Sequence, residues 1–324
     1  MTAGSPGYHQ DRSAPWEAEY HSPALAEEVV ALLQGAALVL DGTLGGGGHT
    51  AALLENGVGK VVGLDRDPEA LAAAGARLAD AAARGRFVAY QGNYAAIDAI
   101  PAIADLRFTG ILLDLGISSH QSDDATRGFS FREGASLDMR MGGSADGSQS
   151  AAELLDSADE DELARIFREF GDEPRAGRLA REVVRRRSTR AFRTSDDLVG
   201  AIRGALGART GPPDFARLFQ AVRIAVNDEL GGLERALPAL RDRLAPGGTL
   251  AIIAYHSGED RLVKHAFRAW STDCICPPRL PMCACGGNHA LGETLTRRAI
   301  VAAPDEVARN SRARSARLRA WRAK

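Results

Sequence analysis

From residue 22 the chain alternates between two hydrophobic periods. Segments with apolar positions three and four apart read as helices, and between them lie short runs in which nearly every residue is apolar. The helical segment SPALAEEVVALL leads to the strand AALVLD, a glycine loop and another helix. The strand KVVGLD leads to a helix from Pro68 to Ala83, the strand RFVAYQ, a polar turn and the strand GILLDLG. Continuously apolar strands separated by helices predict an α/β fold, a parallel sheet with both faces covered.

The pattern breaks after residue 117. SSHQSDDATRGFSFREGASLDMRMGGSADGSQS is polar and glycine-dotted with no period, as binding loops often are. Helical segments without strands follow: AAELL, DEDELARIFREF, EPRAGRLAREVVRRR, TSDDLVGAIRGAL and one long helix from Asp214 to Arg243. The sheet resumes at GTLAIIAYHS and is expected to end with ETLTRRAIV and SARLRAWR. The division read from this order is a disordered segment at 1–20, a first part of the sheet domain at 21–121, an inserted loop and helical substrate-recognition domain at 122–213, and a second sheet part at 214–324 carrying a cysteine-rich loop and a basic tail.

Composition adds three points. The first twenty residues lack the apolar core of a signal peptide and no run is long enough to span a bilayer, so a cytoplasmic protein with no membrane partner is expected. The net charge is only −2, but positive charge is concentrated between Arg175 and Arg193 and again between Arg309 and Lys324, which points to a polyanionic partner. All four cysteines, Cys274, Cys276, Cys283 and Cys285, fall in CICPPRLPMCAC. Two readings stand for them, a tetrahedral zinc site or unmetallated thiols.

The stretch DGTLGGGGHT, Asp41 to Thr50, follows the first strand and opens a helix. Glycines there permit sharp turns and let a ligand approach main-chain amides. As a dinucleotide fingerprint the loop is incomplete: Gly45 and Gly47 fit, but Thr50 stands where the third glycine belongs. A triphosphate loop fits worse, with His49 in place of the phosphate lysine. The acid-led loop, with Asp65 at the end of the second strand to hold a ribose, favours S-adenosylmethionine. Asp114 ends the fourth strand at the sheet edge where ligands of such folds bind, and there it is placed to orient a methyl acceptor and receive its proton.

Taken together, DGTLGGGGHT, GLDRDPEAL, ILLDLGISSHQ, RGFSFREGASLDMRM, FQAVRIAVNDEL, LAPGGTLAIIAYHSGEDRLVK and RARSARLRA make the chain similar to the bacterial small-subunit ribosomal RNA methyltransferase H family. The resemblance implies a Rossmann-like S-adenosylmethionine-dependent methyltransferase sheet with an inserted helical domain, acting on the N4 amine of a cytosine in 16S ribosomal RNA. It implies cofactor contacts at Gly47, Gly48, His49, Asp65, Tyr94, Asp114 and Gln121. Ser122, Gly258 and the segment PPDFARLFQ depart from the family pattern.

For RNA, Arg175, Arg178, Arg181, Arg185, Arg186, Arg187, Arg190 and Arg193 recur at near-helical spacing, with Glu182 the only acid among them. A cytosine in folded RNA must be extruded to reach a methyl donor, and Phe129, Phe131, Arg140, Tyr255 and His256 are the candidates to grip it. The partner implied is 16S ribosomal RNA or the small ribosomal subunit, with a homodimer left open. Two rival readings are a nicotinamide-dependent oxidoreductase and a non-catalytic RNA-binding ribosome assembly factor.

Overall fold

The computed structural model describes residues 23–277 and 282–324, so the segment 1–20 expected to be disordered lies outside the described residues. Its strands are β1 (Leu38–Asp41), β2 (Lys60–Asp65), β3 (Phe87–Gln91), β4 (Phe108–Asp114), β5 (Leu244–Ala254), β6 (Gly292–Thr294) and β7 (Arg317–Ala323). They form one sheet in the order β3-β2-β1-β4-β5-β7-β6. The pairs β3–β2, β2–β1, β1–β4 and β4–β5 are parallel, while β7 runs antiparallel to both β5 and β6.

The helices of the first part are α1 (Ala26–Leu33), α2 (Gly48–Glu55), α3 (Pro68–Arg77), α4 (Ala79–Ala83) and the one-turn α5 (Ser119–Asp123). Those of the insertion are α6 (Ala151–Ser157), α7 (Glu160–Glu169), α8 (Ala176–Arg187), α9 (Ser195–Leu206) and α10 (Pro212–Asn227). Then come α11 (Glu229–Asp242), α12 (Ser257–Trp270) and α13 (Pro304–Arg309).

Successive strand residues point to opposite faces, and here both faces are buried. Val39, Leu112 and Ile253 pack with Leu25, Val29 and Leu33 of the α1 region and with Leu53 of α2. Their neighbours Leu40, Ile111 and Ile252 pack with Leu233, Leu237 and Leu240 of α11, Phe267 of α12 and the wholly buried Trp321 of β7. A third cluster is mostly helical, built from Leu154, Phe167, Leu179, Val183, Leu198, Ile202 and Leu218, with Leu137, Met139 and Phe192 added from connecting loops. No helix among the described residues is long and apolar enough to cross a membrane.

Four expectations need correcting. The long helix from Asp214 to Arg243 is two helices, α10 and α11, because Asp228 takes the left-handed conformation (φ 49°, ψ 42°). The helix from Pro68 to Ala83 divides at Leu78. Of ETLTRRAIV, Glu293 and Thr294 lie in β6, and further on Ile300 makes an isolated antiparallel bridge to Leu318. The division after residue 213 falls at the start of α10, whose Phe215, Leu218, Phe219 and Val222 belong to the helical cluster.

Strand order places the site. Progression along the sheet reverses between β1 and β4, so the connections leaving their carboxyl ends run to opposite sides and open a crevice between them. The two loops are joined at its base: Gly42 N donates to Leu112 O at 2.9 Å, and Thr43 Oγ1 accepts from Asp114 N at 2.6 Å.

Candidate active site

The crevice holds a cavity of about 350 Å³. Gly48, His49, Asp65, Tyr94, Asp114 and Gln121, all expected from the sequence at a cofactor site, line it, as does Tyr255. Gly47 does not. It caps α2 at φ 75°, and a Cβ there would lie 3.0 Å from Leu78 Cδ1 and 3.3 Å from Ala74 Cβ. Its work is to let α2 pass close to the end of α3.

The glycine loop departs from the picture of bare amides facing a ligand. Leu44 N donates to Leu64 O, Gly45 N to Asp65 Oδ2 at 2.8 Å, and Gly47 N to Leu44 O. With Gly42 N also committed, three of these amides bind the loop to the sheet, and Gly47 N closes a turn within the loop. What the glycines leave at the cavity wall is space. At Gly45, which lines the cavity at φ 51°, an added Cβ would meet nothing within 4 Å.

Asp65 joins two loops by accepting from Gly45 N and, through Oδ1, from Asp67 N at 2.9 Å. Each carboxylate oxygen has two lone pairs, so acceptor capacity toward the cavity remains. Burial raises its pKa, against the pull of these amides. Beside it, Asn93 caps the turn that starts at Tyr94 by accepting from Ala95 N at 2.9 Å, and so sets the tyrosine at the cavity wall.

Asp114 sits at the junction of three elements. Tyr255 Oη, just beyond β5, donates to its Oδ1 at 2.9 Å, and His49 Nδ1 of α2 lies 3.6 Å from its Oδ2. Burial pushes the Asp114 carboxyl up to about 7, with the Tyr255 hydroxyl opposing. His49 Nε2 donates to Ala24 O at 2.9 Å, so in the neutral ring Nδ1 carries the lone pair turned toward Asp114. Burial also holds the imidazole below its ordinary pKa. The contact is favourable when one proton is present, on the carboxyl or on the ring. Behind them Asp41, pushed up to about 6 by burial, accepts from Thr50 Oγ1 at 2.7 Å and anchors the start of α2.

The sequence reading missed the charged wall opposite. The break at Asp228 sets Glu229 against Arg223 in a two-pronged ion pair, with Nε–Oε1 at 2.8 Å and Nη2–Oε2 at 2.9 Å. Glu259 accepts from Tyr255 N at 2.9 Å and lies 3.2 Å from His256 Nε2. Burial alone would raise Glu259, but His256, the Tyr255 amide and Arg223 outweigh it and hold the carboxyl below its usual range. The signal available in the sequence was an arginine six positions before a glutamate, across an aspartate able to adopt a left-handed turn.

Gln121 lines the cavity as part of a buried lattice. Its Nε2 donates to Asp67 Oδ2 at 2.9 Å and to Met141 O at 3.0 Å, and Arg127 Nη1 donates to the same Asp67 oxygen at 2.7 Å. This lattice fixes the long loop to the first turn of α3. Arg127→Met would leave a nearly buried carboxylate without its cation, and we expect a loss of about 3–5 kcal/mol in urea unfolding; a loss under about 0.5 kcal/mol would show that the lattice does not hold the loop.

Several residues expected at an RNA interface are committed elsewhere. Arg140 grips Asp138 through both Nε (3.0 Å) and Nη2 (2.5 Å). Arg187 turns inward, its Nη1 donating to Ala158 O at 2.6 Å and Leu155 O at 3.0 Å, where it closes the end of α6. His256 lies against Glu259, and Phe131 packs edge-on to Phe215 and Phe219 at 5.9 and 6.0 Å. Phe129 packs on the same helical cluster. Arg178, Arg181, Arg185, Arg190 and Arg193 are exposed.

The cavity suits a sulfonium nucleoside. Carboxylates at Asp65 and Asp114 answer hydroxyls and positive charge, Tyr94 offers a flat apolar wall, and Arg312 Nη1 is buried with no hydrogen-bond partner among the described residues, a donor available to a carboxylate.

The model of the MraW methylase family matches residues 18–324. The ribosomal RNA small subunit methyltransferase H of Gemmatimonas aurantiaca is 62% identical over 313 residues, covering 96% of this chain and 98% of that protein. Its namesake in Heliobacterium modesticaldum is 46% identical over 310 residues, covering 93% and 97%. That of Anaeromyxobacter sp. strain K is 48% identical over 306 residues, covering 93% and 96%. On the match across nearly its whole length, the chain belongs to the MraW methylase family.

Proposed function

We propose that the protein is an S-adenosylmethionine-dependent methyltransferase that modifies the N4 amine of a cytosine in 16S ribosomal RNA. The observation carrying this reading is the placement of Asp65 and Asp114 on one cavity at the point where the sheet order reverses. The relatives' activity on small-subunit ribosomal RNA supports the substrate class.

Bound in the cavity, S-adenosylmethionine would supply an electrophilic methyl group. Asp65 holds the ribose hydroxyls, Tyr94 flanks the adenine, and Gly48, His49 and Gln121 complete the wall. An exocyclic base amine is a weak nucleophile because its lone pair is delocalised into the ring. Asp114 therefore acts as hydrogen-bond acceptor for the amine and receives its proton, while Tyr255 fixes the carboxylate's orientation. His49 Nδ1, facing the second oxygen, gives that proton a place to go.

Residues 122–227 form the substrate-recognition domain in this reading, and the exposed face of α8 meets phosphates together with Arg190 just beyond its end. Arg181, Arg185 and Arg190 are 64%, 68% and 77% exposed. Arg181 pairs with the exposed Glu160, while Arg185 and Arg190 reach out over the largely buried Glu182 and Asp197; in each pair the guanidinium is on the solvent side, where such contacts contribute little and leave it able to meet phosphate. Changing all three to Gln should weaken RNA binding and lower the slope of log affinity against log salt by about 2–3. An unchanged slope in filter-binding titrations would remove α8 from the interface.

The function itself is tested by mass-spectrometric mapping of methylated cytosines in ribosomal RNA from cells with and without the gene. One cytosine that loses its N4 methyl group in the deletion is expected. An identical methylation map would overturn the activity, and a methyl group lost from another position would overturn the substrate.

A further inference from the structure

The connection from α12 to β6 contains no buried side chain among the described residues from Thr272 to His289. A loop with no core of its own ordinarily needs a staple. This one gathers all of the chain's cysteine sulfurs at its centre. Cys274 Sγ lies 3.6 Å from Cys283 and 3.8 Å from Cys285, while Cys283 lies 4.0 Å from Cys276 and 3.5 Å from Cys285. All four sulfurs fall within 4.8 Å of one another.

Those separations discriminate between chemistries. None is a disulfide, which needs sulfurs about 2.05 Å apart. Four thiolates at about 2.3 Å from one zinc ion stand about 3.8 Å from each other along the edges of a tetrahedron, and the four separations of 3.5–4.0 Å lie around that value. An iron–sulfur cluster would hold its thiolates farther apart, around a body of several atoms.

The surrounding polar groups fit anionic sulfur. Ala284 N and Cys285 N both donate to Cys276 Sγ at 3.2 Å. The loop is closed behind the sulfurs by His289, whose N donates to Asp273 O and whose Nε2 donates to Cys285 O at 3.1 Å. We propose that Cys274, Cys276, Cys283 and Cys285 bind one zinc ion in a closed tetrahedral site that folds the α12–β6 connection. With four protein ligands and no open position, the ion is structural and takes no part in methyl transfer. The site stands independently of the reading of the cavity, since none of its residues lines that cavity.

Elemental analysis of the full-length protein, purified without a metal-binding tag or chelator, tests this. About one zinc per chain is expected, and titration with a mercurial in the presence of a chromogenic chelator should release it as four thiols are consumed. Replacing zinc by cobalt should bring out thiolate charge-transfer and tetrahedral ligand-field absorption. Cys276→Ser combined with Cys283→Ser should lose the metal yet bind S-adenosylhomocysteine as the parent does. If that variant does not fold, the mercurial titration of the parent decides. Iron in place of zinc, no uptake of zinc by the freshly reduced chain, zinc undiminished in a folded double variant, or cysteines paired as disulfides after thiol trapping at lysis would each overturn the proposal.

Discussion

Asp65→Ala is expected to raise the dissociation constant for S-adenosylmethionine and S-adenosylhomocysteine by about 100-fold or more. Two effects combine. The ribose loses a charged acceptor, and each hydrogen bond to a charged group contributes about 1.5–3 kcal/mol. The loop also loses its tie, because Gly45 N and Asp67 N both donate to this carboxylate. Asp65→Asn keeps an acceptor oxygen but not the charge, and should fall between the two. Calorimetric titration with S-adenosylhomocysteine measures the effect without catalysis. An affinity within threefold of the parent would mean that the ligand sits elsewhere.

Asp114→Asn should lower the methyl-transfer rate at saturating S-adenosylmethionine by about 10²–10⁴-fold, the range expected for loss of a positioned proton acceptor. In the parent, transfer should rise with pH through about 7, because the amine's proton can be taken only by the ionised carboxyl. The variant should lose this dependence. Stability should respond in the opposite sense. A carboxyl whose pKa is raised from 3.8 to about 7 on folding binds its proton more tightly in the native state, so its contribution to stability is complete below about 4 and is lost as pH rises through about 7. A neutral carboxamide at this position carries no such cost, and the variant should unfold at higher urea than the parent at pH 8, by an amount on the order of 1–3 kcal/mol. A variant that is slower and also less stable at pH 8 would show that Asp114 is an ordinary paired carboxylate.

Both predictions rest on residues visible in the sequence, but their partners were not. Asp65 and Asp114 stand out because each ends an apolar run, and a strand's end in such a sheet lies at the ligand edge. That Tyr255 reaches Asp114 across 141 positions depends on β4 and β5 pairing with Asp114 opposite Ile253. Gly45 and Gly47 were equally conspicuous, yet one opens the cavity wall and the other passes a helix. Only the positions of Leu78 and Ala74 separate the two roles. The arginines of α8 recur at near-helical spacing, and the sequence offers all of them alike to RNA. A step of two positions along the helix is enough to separate Arg187, which reaches the carbonyls ending α6, from Arg185, which stays exposed on Glu182.

The amino-acid sequence by itself determined the alternation of buried strands and helices, the interruption by a helical segment, the acids at strand ends and the paired spacing of the four thiols. These are local properties, set by side-chain period and residue type over a few positions. Tertiary structure decided which amides the glycine loop spends on its own sheet, where Asp228 divides a long helix so that Arg223 meets Glu229, and which arginines face outward. Those outcomes depend on register and on helix packing between segments tens of residues apart, where an offset of one residue turns a side chain from the cavity to the core.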